Sequence, residues 1–434
     1  MSPRSPLCFV AVVLALAALA PPAVADVIVV ALDGSGDALN LSDALNLADP
    51  GDILLVREGN YAGIGPLDPD GFHYINEAVT IIGDGAGPSV GMMRIFDIPA
   101  GQEVVLRNLK LSGPFPTGIF LEKLGVRDCA GTVLVEDCTL SGVMGTFSHI
   151  EGFPGADVRN SAGVTFTRCT IRGGMGMPVN SAFPPGIVPG PGGPALVVDG
   201  SKVALQHCTV IGGTGGTDQI EPIESKPGGD GLIIAESATV FAAGGSIAGG
   251  KASNGGSPEL PLEAAGGDGI VQTGSFSTLR LIGVTPQGGA GGVMSDASTG
   301  PDGLAMTIAA GSLETFGELA RGTSLPATLN LGELATLGIS GAPGELAKVM
   351  VGLDVLHAQL GGKKGVFNLT GGLIGPVVLG VVPPSGVLEL PVSFPSGSLL
   401  GLEGLCVHMQ GLTFGAEGLM FGNPTTTLVL VEGL

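Results

Sequence analysis

One recurring column of residues constrains this chain more than any other feature. The stretches VLRNLKLSG (105–113), VLVEDCTLSG (133–142), VTFTRCTIRGG (164–174), VALQHCTVIGG (203–213), VFAAGGSIAGG (240–250) and LRLIGVTPQGG (279–289) align without gaps through their apolar positions. Leu109, Cys138, Cys169, Cys208, Gly245 and Val284 share one position, and four residues later stand Gly113, Gly142, Gly173, Gly212, Gly249 and Gly288. The column recurs after 29, 31, 39, 37 and 39 residues. Such recurrence marks stacked units, none of which can bury its apolar face alone. Within each unit apolar residues alternate, which predicts half-buried strands. Alternation turns Val203, Leu205, Cys208 and Val210 inward and leaves Gln206 and His207 at a bend or outside.

The column also decides what the cysteines are for. Elsewhere it holds Leu, Val and Gly, so Cys138, Cys169 and Cys208 are expected to pack inward as small hydrophobes rather than to react. Beyond Cys8, which lies within residues 1–25, Cys129, Cys138, Cys169, Cys208 and Cys406 form an odd set, which argues against a full disulfide framework in an exported chain. Only Cys129, in VRDCAG, lies where a local bridge to Cys138 is conceivable. Arg4, the apolar run LCFVAVVLALAALA and the small residues Ala23–Ala25 read as a secretory signal peptide over residues 1–25, cleaved before Asp26. The expected location is therefore secreted, periplasmic or at the cell surface. No later segment is long and apolar enough to span a membrane. The net charge of −21 becomes −22 without Arg4 and disfavours nucleic acid and anionic membranes as partners.

The rung pattern, apolar residues alternating up to Cys-Thr and closing on Gly, resembles the right-handed parallel β-helix proteins of the pectate-lyase-like superfamily. GDALNLSDALNLADPGDILLVREGNYAG (36–63) is similar to the opening of such proteins, and VTIIGDGAG (79–87) to their next rung. The resemblance covers about 26–305. It implies an all-β chain: a right-handed parallel β-helix with a short capping helix before the first strand. Beyond 305 the period fails. Short alternating runs between Gly and Pro turns over 306–434 predict a C-terminal β-sandwich, placed to cap the open end of the solenoid, with Cys406 in its core.

Glycine-rich loops interrupt the rungs at one point: 173–194, 212–231 and 249–269 each run from the Gly pair to the next strand. Stacking places them on one flank, as a binding face or as a padded edge. The chemistry-bearing candidates are few. Asn108, Asp137, Arg168 and His207 form a polar row, with Glu136 beside it. The row reads either as a solvated charge ladder or as an acid–base row able to act on a sugar. Asp128, Asn160, Asp199 and Glu236 read as a second column of turn residues. Asp230 and Asp268, in two GGDG motifs, are the candidates for calcium, although one carboxylate per loop falls short of a full oxygen cage. GDGAG lacks the Lys-Ser/Thr and helix of a nucleotide loop.

His73, His149, His207, His357 and His408 are scattered, and no Asp-Asp pair occurs. There is no Trp, and the only tyrosines are Tyr61 and Tyr74. Sugar subsites usually stack rings on such side chains, and Phe153 and Phe183 are the few loop substitutes. The sequence therefore supports an exported, non-catalytic structural or adhesin-like protein with an extracellular polysaccharide or surface protein as partner. The alternative is a divergent polysaccharide lyase or glycoside hydrolase on the same scaffold. No catalytic, cofactor or metal residue is assigned, with calcium the only cofactor considered.

Overall fold

The computed structural model describes residues 25–62, 72–112, 122–179, 188–217, 225–254, 264–294, 296–360, 364–370, 374–393 and 404–430. The signal-peptide reading and Phe183 thus fall outside the described residues, Ala25 excepted. Among the described residues the chain is all-β apart from one helix, Leu41–Leu47. Asn40 caps that helix through its Oδ1, which accepts the Asp43 amide at 2.9 Å. Leu41 and Ala44 seal one end of the core.

Strands stack in parallel into two long sheets, one 14-stranded and one eight-stranded. The chain visits them alternately. Thr132–Glu136 and Thr139–Ser141 lie in the large sheet, Ala156–Arg159 in the smaller, and Gly163–Thr167 and Thr170–Arg172 in the large one again. Pairing is in strict register: Val133 faces Val164, Val164 faces Val203, Val203 faces Val240, and Val240 faces Leu279. This arrangement is compatible with a β-helix-like solenoid. The last strand of the large sheet in chain order, Ser312–Phe316, pairs with Thr278–Ile282. Among the described residues no helix is long and apolar enough to cross a membrane.

Between the two strand runs of the large sheet, Asn108, Asp137, Arg168 and His207 take φ of 53°, 54°, 51° and 56°, and Gly244 and Gly283 follow with 66° and 59°. The column is therefore a left-handed bend, a conformation costly to any residue with a Cβ. The inward column runs as expected. Cys138, Cys169 and Cys208 are buried in the main core, and all five described cysteines are free, so Cys129 and Cys138 are not bridged. Cys169 Sγ donates to Val135 O and Cys208 Sγ to Phe166 O, each at 3.3 Å, which ties consecutive coils together. Burial pushes the Cys138 thiol up to about 12. Cys406 is only half-buried, against the N-terminal coils.

The C-terminal region forms a five-stranded, a three-stranded and a two-stranded sheet around its own core, which includes Leu337, Ile339, Val349, Met409 and Val429. Its described residues do not cap the open end. It lies along the outer face of the large sheet. Leu428 and Leu430 pack on Ile53, Leu55 and Ile82, Val355 on Val105 and Leu134, and Val366 and Met420 on Phe241 and Ile282. The physical reason is legible in strands such as Ile53–Val56, ILLV, which are buried on both faces. A doubly apolar strand needs cover on each side.

Candidate functional site

The polar row is not a freely solvated ladder: Asp137, Arg168 and His207 are half-buried in the contact between the large sheet and the C-terminal region, where Glu136 and Arg107 are buried. Glu136, wholly buried, accepts from Thr425 Oγ1 at 2.6 Å and from the Thr426 amide at 2.8 Å. Arg168 donates to Asp137 Oδ1 at 2.8 Å and Oδ2 at 2.9 Å, to Thr323 O at 2.6 Å and to Glu136. Arg107, 1 % exposed, lies 3.5 Å from Glu136 and 3.3 Å from Asp137, and donates to Leu325 O. Burial works to raise the Asp137 carboxyl, and the Arg168 and Arg107 guanidinium groups outweigh it, leaving it below its ordinary value. His207 Nε2 donates to Arg321 O at 2.9 Å. Asn108 stands apart and donates to Gly83 O at 2.9 Å.

The same contact holds three groups kept neutral by burial. His408 is lowered to about 3 and His357 to about 4, while Glu103 is raised to about 8. His408 Nε2 and Glu103 Oε1, 3.7 Å apart, face each other as uncharged groups. The Glu103 carboxyl also accepts the Val355 amide. His73, the remaining deeply buried histidine, bonds Ser42 at 3.0 Å near the helix, and His149 lies against Phe153.

The second turn column is shifted from its sequence alignment. Arg127 pairs with Arg159, and Arg159 with Asp199. The left-handed positions are therefore Asp128, Asn160, Gly200 and Ser237, one residue beyond Asp199 and Glu236. Asn160 Nδ2 donates to Asp128 Oδ1 at 3.1 Å, a turn ladder as the residue types suggested. The corrected register exposes a charged face that sequence reasoning missed. On the outside of the eight-stranded sheet, Glu122 accepts from Arg94 at 3.0 Å and from Arg127 at 2.8 Å. Asp157 accepts from Arg127 at 3.2 Å and from Arg159 at 2.9 Å. Arg94 stacks 4.3 Å over the Phe72 ring, beside Tyr74. The available signal was the 32-residue spacing of V-R-D and V-R-N.

The described segments of the glycine-rich loops are held by backbone hydrogen bonds. Each outbound segment donates to the next coil every third residue. Gly142 donates to Arg172 O and Gly145 to Met175 O; Gly173 to Ile211 O and Gly176 to Thr214 O; Gly212 to Ala248 O and Gly215 to Lys251 O. A second layer of returning segments bonds to the first in both directions: the returning Gly193, Gly229 and Gly267 donate to Gly174 O, Gly213 O and Gly250 O, and the outbound Gly213 and Gly250 donate to Gly193 O and Gly229 O. A repeat of three residues with hydrogen bonds only between chains is polyproline II geometry, in which close contacts demand Gly. A Cβ on Gly229 would sit 2.0 Å from Gly193 O, and one on Gly212 1.9 Å from Gly229 O.

Asp230 and Asp268 belong to this layer: they accept the amides of Asp268 and Leu304, each at 2.8 Å, and do not converge with a third acid. Among the described residues no three His, Cys, Asp or Glu side chains gather as metal ligands. Phe153 is buried and offers no sugar platform. Outside the outbound layer lies a groove of about 380 Å³, lined by Arg172, Met175, Ile211, Thr214, Lys251 and the glycines between them. No protein-family model and no curated protein matches this chain.

Proposed function

We propose that the chain is an exported, non-catalytic interaction protein, a right-handed parallel β-helix resembling the pectate-lyase-like superfamily, with a C-terminal β-sandwich laid along its side. The observation that carries this reading is the glycine-rich flank. The described segments of its loops are held coil to coil by backbone bonds, so they present a pre-organised surface that loses little entropy on binding. The polar row, the best catalytic candidate in the sequence, supports it from the other side. Its charges are spent joining two parts of the molecule. The partner class is an extracellular polymer or surface protein.

A second reading rests on the Arg94–Glu122–Arg127–Asp157–Arg159 face, where two acids and three guanidinium groups would suit a divergent polysaccharide lyase or hydrolase. Both carboxylates are already committed to arginines, which favours a structural network. Incubation with neutral and anionic polysaccharides, calcium included, separates the readings. Binding without new reducing ends or unsaturated products is expected. Turnover that collapses in Arg127→Ala or Arg159→Ala, with the fold retained, would establish the enzyme instead.

A further inference from the structure

The outbound glycine layer leaves one face exposed. In its strands two residues of every three turn inward and the third is exposed: Thr214 and Thr217 flank buried Gly215 and Gly216, and Lys251 and Asn254 flank buried Ala252 and Ser253. Across the coils this exposed column reads Met144, Met175, Thr214, Lys251 and Ala290. The amides on either side of the column are paired within the bundle. Among the described residues those of Met175, Thr214, Lys251 and Ala290 have no backbone acceptor. Two strands therefore offer a pair of donors about 9.3 Å apart, three residues at 3.1 Å: Thr214 with Thr217, and Lys251 with Asn254, whose amides have no backbone acceptor among the described residues. Pro178 ends the Met175 row and the Val293 amide is taken by Asn254 Oδ1; between coils the donors lie about 4.8 Å apart.

Charge narrows the partner. The chain carries 39 acidic residues against 18 basic ones. Yet the described outbound stretches 142–145, 173–179, 212–217, 249–254 and 288–293 contain no Asp or Glu. The groove beside them is framed by exposed Arg172 and Lys251. Neither has an ion-pair partner among the described residues. Met144 and Met175, 44 % and 37 % exposed, add adaptable apolar contact.

We infer that this face binds an extended acidic peptide segment in polyproline II conformation, seated as a third layer of the bundle. A peptide in that conformation presents one carbonyl row with the same three-residue, 9.3 Å repeat. Main-chain bonds supply affinity, as when a strand adds to a sheet edge, and Arg172 and Lys251 select carboxylates. A polysaccharide has no carbonyl row of this period, so the donor repeat favours peptide. The inference rests on the reading of the flank as an interaction surface and names its ligand class.

The probe is the acetylated and amidated peptide (Pro-Glu-Gly)4, titrated calorimetrically into the whole protein, with (Pro-Lys-Gly)4 and alginate as comparisons. Binding of the acidic peptide alone is expected, weakening as salt rises. Lys251→Glu with Arg172→Glu should raise Kd at least tenfold. Thr214→Pro should raise it severalfold without changing charge, because proline keeps the extended backbone and removes one amide donor. Circular dichroism should show both variants folded. No binding of the acidic peptide, equal binding of the basic one, or wild-type affinity in Thr214→Pro would each overturn the proposal. Tighter binding of alginate than of peptide would overturn it too, while leaving the interaction-surface reading in place.

Discussion

Replacing Arg168 by Ala tests whether the polar row is a structural joint. The side chain is 22 % exposed and bridges Glu136 and Asp137 to Thr323 O in the C-terminal region. Its loss strands Glu136, which has no exposure, with Arg107 at 3.5 Å as the remaining cation. Breaking a buried pair by removing one partner costs about 3–5 kcal/mol; the surviving Arg107 contact places the expectation near the lower end. A backbone term can be separated from this. Arg168 sits at φ 51°, a conformation that costs a residue with a Cβ about 1 kcal/mol and glycine almost nothing. Arg168→Gly should therefore be less damaging than Arg168→Ala by about 1 kcal/mol, although it deletes the same contacts. Urea unfolding followed by circular dichroism, with the m-value checked for constancy, gives both numbers. A loss below about 1 kcal/mol for Arg168→Ala, the range of solvated pairs, would refute the joint.

Two further outcomes follow from the same structure. Gly229→Ala drives a methyl to 2.0 Å from Gly193 O, whereas Gly317→Ala meets nothing within 4 Å; the first should lower the melting temperature sharply and the second leave it unchanged. Stability should peak near pH 6.5. Below that, His73, His357 and His408, lowered to about 4, 4 and 3, take up protons only on unfolding, so stability falls with pH; above it, Glu103, raised to about 8, releases its proton on unfolding, so stability falls as pH rises. The alkaline limb, about 1.4 kcal/mol per pH unit for one proton, should vanish in Glu103→Gln, and its persistence would show that Glu103 ionises freely.

What the sequence revealed and what it hid have the same cause. The Cys column was legible because its neighbours along the stack repeat the same inward environment, so one alignment carries the parallel register. The bend at Asn108, Asp137, Arg168 and His207 was legible as a bend because Gly244 and Gly283 continue it. The burial of that bend was hidden, because it depends on Thr323, Leu325 and Thr425, more than 150 residues away from Arg168 in the chain. A hint lay in the outward Ile53, Leu55 and Ile82, too apolar for a wet face. Asp199 and Glu236 were misaligned because a turn differs by one residue in length, a shift that moves every side chain to another position. The layering of the described glycine-loop segments was hidden most deeply. Polyproline II segments have no internal hydrogen bonds, so the only trace in the chain is the triplet spacing of glycines in GGTGGT.

Hydrogen exchange, resolved residue by residue, tests that glycine layer most directly. The amides of Gly193, Gly213, Gly229, Gly250 and Gly267 each donate to a carbonyl of the facing layer, while those of Met175, Thr214, Lys251 and Ala290 meet no backbone acceptor among the described residues. The account predicts slow exchange for the first set, comparable to the core strand amides, and fast exchange for the second, alternating within single loops. Uniformly fast exchange across 212–217 and 226–231 would contradict it, because loops without that alternation would form no layer and offer no surface.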